Sequence, residues 1–230
     1  MKIGALFDWD GVVIDSSKAH EQSWELLAEE EGKPLPEGHF KAGFGRKNQY
    51  IIPNILQWTI DAEEIERLGD RKEALYRVIV AEKGVDLIPG IEAFLESLNE
   101  SGIRCAVGSS TPRKNVETII EMLNLGSYFQ AIVCAEDVRQ GKPHPEVFLT
   151  VAARLNREPQ NCAVFEDAVF GLQAAKAGGM KAIALSSTHS LDVMNACETD
   201  LILENFLNFN SNELVKIFEP QIDTDLPLLI

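Results

Sequence analysis

The chain is short of positive charge. Lysine and arginine number 21 against 36 aspartates and glutamates, a net charge of −15 over 230 residues. Nucleic acid and anionic membrane surfaces both need a basic face, so this balance argues against either as the main partner. An anionic ligand must instead be met by local cations or a metal. Long apolar runs are missing too: no stretch reaches the ~18 residues of a bilayer-spanning helix. The N-terminus lacks a signal-peptide pattern, since Met1-Lys2 leads straight into a strand-like run, and a cytoplasmic location is expected. Cysteine is scarce, and Cys105, Cys134, Cys162 and Cys197 show neither CxxC nor Cys/His ligand spacing. The first three sit in apolar runs and read as small core residues. There is no internal repeat and no low-complexity tract. No GxGxxG follows the first apolar run, which disfavours a dinucleotide-binding protein.

What is present is the composition of a soluble globular protein, 45% hydrophobic and 25% charged. The length suits one large domain, or a core with an insertion. Apolar runs of strand length recur near 3–7, 104–109, 131–135, 162–166, 181–186 and 201–204. Helical periodicity lies between most of them. Val116, Ile119, Ile120 and Leu123 follow i, i+3, i+4, i+7 spacing, with Thr111-Pro112 placed as an N-cap and first helical residue. Gly171 to Ala177 reads as a close-packing helix ended by Gly178-Gly179. Alternating strands and helices predict a doubly wound parallel sheet with helices on both faces. Residues 16–84 break the rhythm and read as a helical insertion after the first strand. One stripe holds Trp24, Leu27 and Ala28, with Glu21, Glu25 and Glu29 outside it; Ile65, Leu68, Ala74, Leu75 and Val78 belong to a second region. Flexible connections near 14–17 and 84–89 would let this insertion move as a lid. The expected division is therefore a core of 1–15 and 85–230 and a cap of 16–84. The tail after Pro220 is short and ends apolar.

The run into Asp8-Trp-Asp10-Gly11 carries the most chemistry. Two carboxylates at the mouth of a core strand are costly unless a metal or cation compensates them, and they suggest a metal, a nucleophile or both. Three more polar clusters lie at predicted strand ends or just before a helix: Gly108-Ser109-Ser110-Thr111, Gly141-Lys142-Pro143 and Glu166-Asp167. In doubly wound sheets, ligands gather beyond the carboxyl ends of the strands. Several carboxylates, hydroxyls, free backbone N–H groups and one lysine are the parts for phosphoryl transfer with Mg²⁺. Taken singly, Ser109 could be a cap, Lys142 a solvated turn residue, and Glu166-Asp167 the cap of the following helix.

In that order, the motifs DxDGVxxDS at 8–16, the strand-end Ser109, GKPxPExF at 141–148 and ED-x3-G-x2-AA-x-AG at 166–178 resemble the haloacid dehalogenase superfamily. Within it they resemble the β-phosphoglucomutase-like phosphatases, over about residues 2–205. The resemblance implies a Rossmann-like α/β core with a small helical cap, in which the strands carrying Ser109 and Asp167 flank the Asp8 strand. It implies Asp8 as nucleophile and Asp10 as general acid and then base. Mg²⁺ would be held by Asp8, the Asp10 backbone carbonyl and Asp167, with Glu166 close by. Ser109, Ser110 and Lys142 would bind the phosphoryl group. In the cap, His20, Lys72 and Arg46 fit substrate positions, Arg46 toward the distal part of the substrate, and Arg113, Lys114 and Asn115 fit a reach toward it from the core.

Asp8 and Asp10 at i, i+2 should emerge on one side of an extended backbone, with Asp10 protonated for its first step. The expected protein is a monomeric, Mg²⁺-dependent phosphatase of a small phosphorylated metabolite, a sugar phosphate foremost, working through an aspartyl phosphate. The close rival is a β-phosphoglucomutase with the same core residues. The remoter one is a phospho-acceptor signalling domain, which carries no cap of this size.

Overall fold

The apolar run behind Asp8 becomes the middle of a sheet. The computed structural model describes residues 2–43 and 45–219. The expectation for the tail after Pro220 lies outside the described residues. The strands are β1 Gly4–Phe7, β2 Ile14–Asp15, β3 Asp86–Leu87, β4 Arg104–Gly108, β5 Phe129–Val133, β6 Cys162–Glu166, β7 Lys181–Leu185 and β8 Leu201–Leu203. The helices are α1 Ser17–Glu31, α2 His39–Gly43, α3 Asn48–Tyr50, α4 Ala62–Lys83, α5 Ile91–Glu100, α6 Arg113–Met122, α7 Glu146–Arg154, α8 Val169–Ala177, α9 Leu191–Asn195 and α10 Ser211–Ile217.

Six strands form one sheet in the order β5-β4-β1-β6-β7-β8, every neighbouring pair parallel. As expected, β1 lies between the strands that lead to Ser109 and Asp167. Parallel strands need crossovers, and the crossover helices cover both faces. Alternation along β1 divides the core in two. Ala5 and Phe7 join Phe94, Val107, Val116 and Phe165 on one side. Leu6 joins Ala106, Phe148, Val164 and Leu172 on the other. Phe7 stacks on Phe165 with ring centroids 4.8 Å apart, and Phe94 lies edge-on to both. These rings directly precede Asp8 and Glu166, so the aromatic packing sets the height at which two carboxylates leave the sheet.

Residues 17–83 are helical, apart from loops, and carry a small core of their own: Trp24, Leu27, Ile52, Leu56, Leu68 and Leu75. A π-helical turn, Ile51–Leu56, follows α3. The α1 stripe is as expected. On α4 the buried face runs through Leu68, Lys72, Leu75, Tyr76 and Ile79, and Val78 falls off it, 52% exposed.

Three local expectations change. The connections to the insertion are not two independent loops: Ile14–Asp15 pairs antiparallel with Asp86–Leu87, and Ile88 N donates to Val13 O at 3.0 Å. The run near 131–135 enters the sheet two residues early, at Phe129. Thr111 does not cap α6, whose N-cap is Pro112 with no side-chain bond.

Phe165→Ala, fully buried between Phe7 and Phe94, is expected to cost about 3–5 kcal/mol of stability. Urea denaturation at equilibrium measures this, and a loss below about 1 kcal/mol would mean that the aromatic packing does not support the strand end.

Candidate active site

Three carboxylates converge where β1 and β6 end. One oxygen each from Asp8, Glu166 and Asp167 lies within 4.8 Å of the others, and all three residues are buried. One cation enters the group. Lys142 Nζ stands 2.6 Å from Glu166 Oε1 and 2.8 Å from Asp8 Oδ1. Burial alone would lower the pKa of Lys142, but Asp8 and Glu166 raise it well above the ordinary lysine range. Glu166 is fully engaged, because its Oε2 accepts from Ala168 N at 2.7 Å. The bond ends on the N-cap residue itself, so Glu166 does not cap the first turn of α8.

The other two carboxylates are undercompensated. Burial, with Glu166 and Asp10 adding repulsion, pushes Asp8 up to about 7 even though Lys142 opposes the shift. Burial, Glu166 and Asp8 raise Asp167 well above the carboxylate range. Asp167 Oδ1 is buried without a hydrogen-bond partner, while Oδ2 accepts from Thr188 Oγ1.

Two glycines make the cluster possible. A Cβ on Gly171 would overlap the Glu166 carboxylate, and one on Gly11 would overlap that of Asp167. Gly11 also holds φ +78°, in the left-handed region that glycine tolerates. These residues fit a divalent cation: hard carboxylate oxygens, a bare buried oxygen and too little positive charge nearby. Asp8 and Asp167 would hold it, with Glu166 beside them.

Asp10 is not in this cluster through its side chain. The backbone leaves the sheet after Asp8, whose N–H still bonds Phe165 O, and curls into a turn closed on the Trp9 carbonyl by Val13 and Ile14. The same-side rule for extended backbone therefore does not apply to the pair. Asp10 Oδ1 accepts from Ser16 Oγ at 2.5 Å and lies 3.1 Å from His20 Nε2, and its Oδ2 accepts from Thr111 Oγ1 at 2.5 Å. Burial would raise its pKa, but His20, Ser16 and Thr111 together hold it below the ordinary carboxylate range. Three groups thus converge on the two Asp10 oxygens. Any contribution to a metal would come from its backbone carbonyl.

His20 and Lys72 are both drawn into the site. Lys72 Nζ lies 2.6 Å from His20 Nδ1. An ammonium only donates, so Nδ1 accepts and the ring proton sits on Nε2, facing Asp10. The ring of His20 stacks on Tyr76 at 3.9 Å. Lys72 continues to Glu73 at 3.1 Å, and Glu73 accepts from Asn48 and Asn115 at 2.8 and 2.5 Å.

Ser109 is buried, and its Oγ accepts from Thr111 N at 3.0 Å, which leaves the hydroxyl proton for another acceptor. Ser110 lines the same cavity of about 500 Å³, together with Asp8, Asp10, His20, Arg46 and Lys72. Arg46 lies between the rings of Tyr50 and Phe170, 3.9 and 3.7 Å from their centroids, and so joins the insertion to α8.

Two expected substrate residues are elsewhere. Arg113 turns to Asp137 and Glu117, and its side chain serves the β5 edge. Asn115 is buried outside the cavity lining; it bonds Glu73 and accepts from Arg77 Nη1 at 2.7 Å, both on α4. Lys114 is exposed. Sequence reading placed Thr111 in the polar cluster at 108–111 without giving it this contact to Asp10, and it missed Glu73, Thr188 and Lys47, whose Nζ reaches the Ala135 and Val138 carbonyls at 2.6 and 3.1 Å. Glu73 and Lys47 left a signal only as neighbours of residues already singled out.

A family model described as haloacid dehalogenase-like hydrolase matches residues 4–179. A chloroplastic 5-amino-6-(5-phospho-D-ribitylamino)uracil phosphatase of Arabidopsis thaliana is 33% identical over 233 residues, 97% of this chain but 61% of that protein. The chain thus spans less than two thirds of that relative's length. A phosphorylated carbohydrates phosphatase of Thermotoga maritima is 30% identical over 191 residues, 81% of this chain and 86% of its own. Among solved structures, a β-phosphoglucomutase from Clostridium difficile matches with a TM-score of 0.84 at 25% identity, over 95% of this chain and 97% of that one.

Lys142→Met should destabilise the protein by about 3–5 kcal/mol, because buried carboxylates lose their cation. Adding Glu166→Gln should recover part of that loss in the same urea titration. Full tolerance of Lys142→Met would show that the ion pairs are not what holds the cluster.

Proposed function

This chain belongs to the haloacid dehalogenase-like hydrolase family, and we propose that it is a Mg²⁺-dependent phosphatase of a small phosphorylated metabolite, a sugar phosphate foremost. The carrying observation is the buried Asp8, Glu166 and Asp167 group with one lysine and one bare carboxylate oxygen. Residues 1–15 and 85–230 would form the catalytic core and 16–84 the cap that closes over it. Lys47, Arg46 and Asn115 support this reading, since each ties the insertion to the core. The four cysteines are unpaired, which fits a reducing, cytoplasmic setting. Among the described residues no helix is long and apolar enough to cross a membrane. Among the described residues, large exposed apolar side chains fall singly on different elements, which supports a monomer.

In the first half-reaction, a carboxylate oxygen of Asp8 attacks phosphorus. The bond from phosphorus to the ester oxygen breaks, and Asp10 gives that oxygen a proton. In the second, Asp10 takes a proton from the water that attacks the aspartyl phosphate, releasing inorganic phosphate and Asp8. Bound Mg²⁺ would offset the negative charge that Asp8 and the phosphoryl group bring together. Ser109, the Ser110 turn and Lys142 would hold the phosphoryl oxygens. Asp10 must change partners between the two steps. Asp10 has to enter the first step protonated, so at least one of the contacts from Ser16, His20 and Thr111 gives way to a proton taken up from solvent; once that proton is on the ester oxygen, the Asp10 carboxylate is the base for the water.

Two observations favour a phosphatase over the mutase that the C. difficile likeness suggests. The Arabidopsis and Thermotoga relatives are named as phosphatases. Arg46, the cation expected for a second phosphate, is committed to two aromatic faces, and its neighbour Lys47 to two carbonyls.

Asp8→Asn should lower turnover about a thousandfold or more with little change in stability, since an amide is not a nucleophile. A phosphate-release assay decides, and a residual rate near the parent's would remove Asp8 from the mechanism. Chelation should abolish activity and added Mg²⁺ restore it. With β-glucose 1-phosphate and a trace of glucose 1,6-bisphosphate, free phosphate should exceed glucose 6-phosphate; the reverse ratio would assign the chain to the mutases.

A further inference from the structure

The loop after β7 takes no part in the motifs, yet it touches both halves of the carboxylate cluster. Thr188 Oγ1 donates to Asp167 Oδ2, at the end of β6. Its neighbour Ser187 donates through Oγ to the Gly11 carbonyl at 2.5 Å, in the turn that follows Asp8. The loop is anchored in turn by Ser186 N, which donates to Leu203 O at 2.9 Å on the edge strand. One short segment thus reaches across β6 and fastens the Asp8–Gly11 turn and the Asp167 side chain to the same support.

We propose that Thr188, backed by Ser187, is the positioning residue that decides which oxygen of Asp167 is presented to a divalent cation. This rests on reading the site as Mg²⁺-dependent. A carboxylate has two equivalent oxygens and can turn about its last bond. Asp167 stands beside Asp8 and Glu166, and repulsion from both would drive it to rotate away or to take a proton. Thr188 takes up Oδ2, and the missing Cβ of Gly11 leaves room for that oxygen and for the hydroxyl beside it. Oδ1 is then the oxygen left buried and without a partner. The hydroxyl therefore makes Asp167 a one-oxygen ligand with a fixed direction. Hydrogen-bond partners of metal ligands commonly set affinity by about 10–100-fold.

Thr188 is only partly buried and sits on a loop, so its replacement should leave the fold intact. The readout is Mg²⁺ binding itself, by calorimetry and by the rise in melting temperature on titration with Mg²⁺ alone. Thr188→Val should weaken Mg²⁺ binding about 10–100-fold, with the metal-free melting temperature unchanged. Thr188→Ser should restore parental affinity. Ser187→Ala should weaken binding less than Thr188→Val. If Thr188→Val fails to fold, Thr188→Ala replaces it in the same titration. Parental Mg²⁺ affinity in a folded Thr188→Val or Thr188→Ala would overturn the proposal. Absence of Mg²⁺ binding by the parent chain would instead sink the metal-dependent reading on which it stands.

Discussion

One buried ion pair set governs this structure: Lys142 against Asp8 and Glu166. Three carboxylates meet at the end of two adjacent strands, and an isolated buried carboxylate is among the most costly groups a protein can hold. The lysine makes two of them tolerable. Its position follows from the loop before α7, its charge is reinforced by the very groups it compensates, and Glu166 is further secured by Ala168 N at the start of α8. What the lysine leaves uncompensated is where the chemistry lies. Burial pushes Asp8 up to about 7 against the opposing lysine, and Asp167 keeps a bare oxygen. Both conditions invite a divalent cation, and both would vanish if a second lysine completed the neutralisation.

The two aspartates of the DxD motif are given opposite environments although only Trp9 separates them. Asp8 ends a strand and meets lysine and carboxylates. Asp10 lies on a turn and meets a histidine and two hydroxyls. Divergent surroundings are how two chemically identical groups take different roles, one as nucleophile and one as proton carrier. The Asp10 environment is also shared between distant parts of the chain. Thr111 comes from the core, Ser16 from the start of the insertion, and His20 from α1. Behind His20, the chain of contacts through Lys72 and Glu73 ends on Asn115 in the core. The placement of Asp10 and the seating of the helical insertion are thus parts of one hydrogen-bonded array. The paired segments β2 and β3 complete it by joining the insertion's entry and exit.

Much of this molecule was decided locally. Short apolar runs ending in polar residues specified the strands of the parallel sheet, because a strand buried on both faces has to be apolar throughout. Period-3.6 stripes such as Trp24, Leu27 and Ala28 assigned a helix face before any contact was known. Spacing identified Asp8, Asp10, Ser109, Lys142, Glu166 and Asp167 as one set, since few arrangements other than a shared pocket justify so many charges at strand ends. What tertiary structure alone decided are the partners. What Asp10 meets depends partly on Thr111, about a hundred residues later in the chain. Whether Asn115 and Arg113 face a ligand depends on Glu73, Arg77 and Asp137, none of which lies within a helical turn of them. Thr188 is a lone threonine in a loop, and nothing in its neighbourhood marks it. Sequence patterns report burial and backbone geometry because those repeat with a period. The direction in which a polar side chain points depends on charges brought near by folding, and those carry no period for a sequence to display.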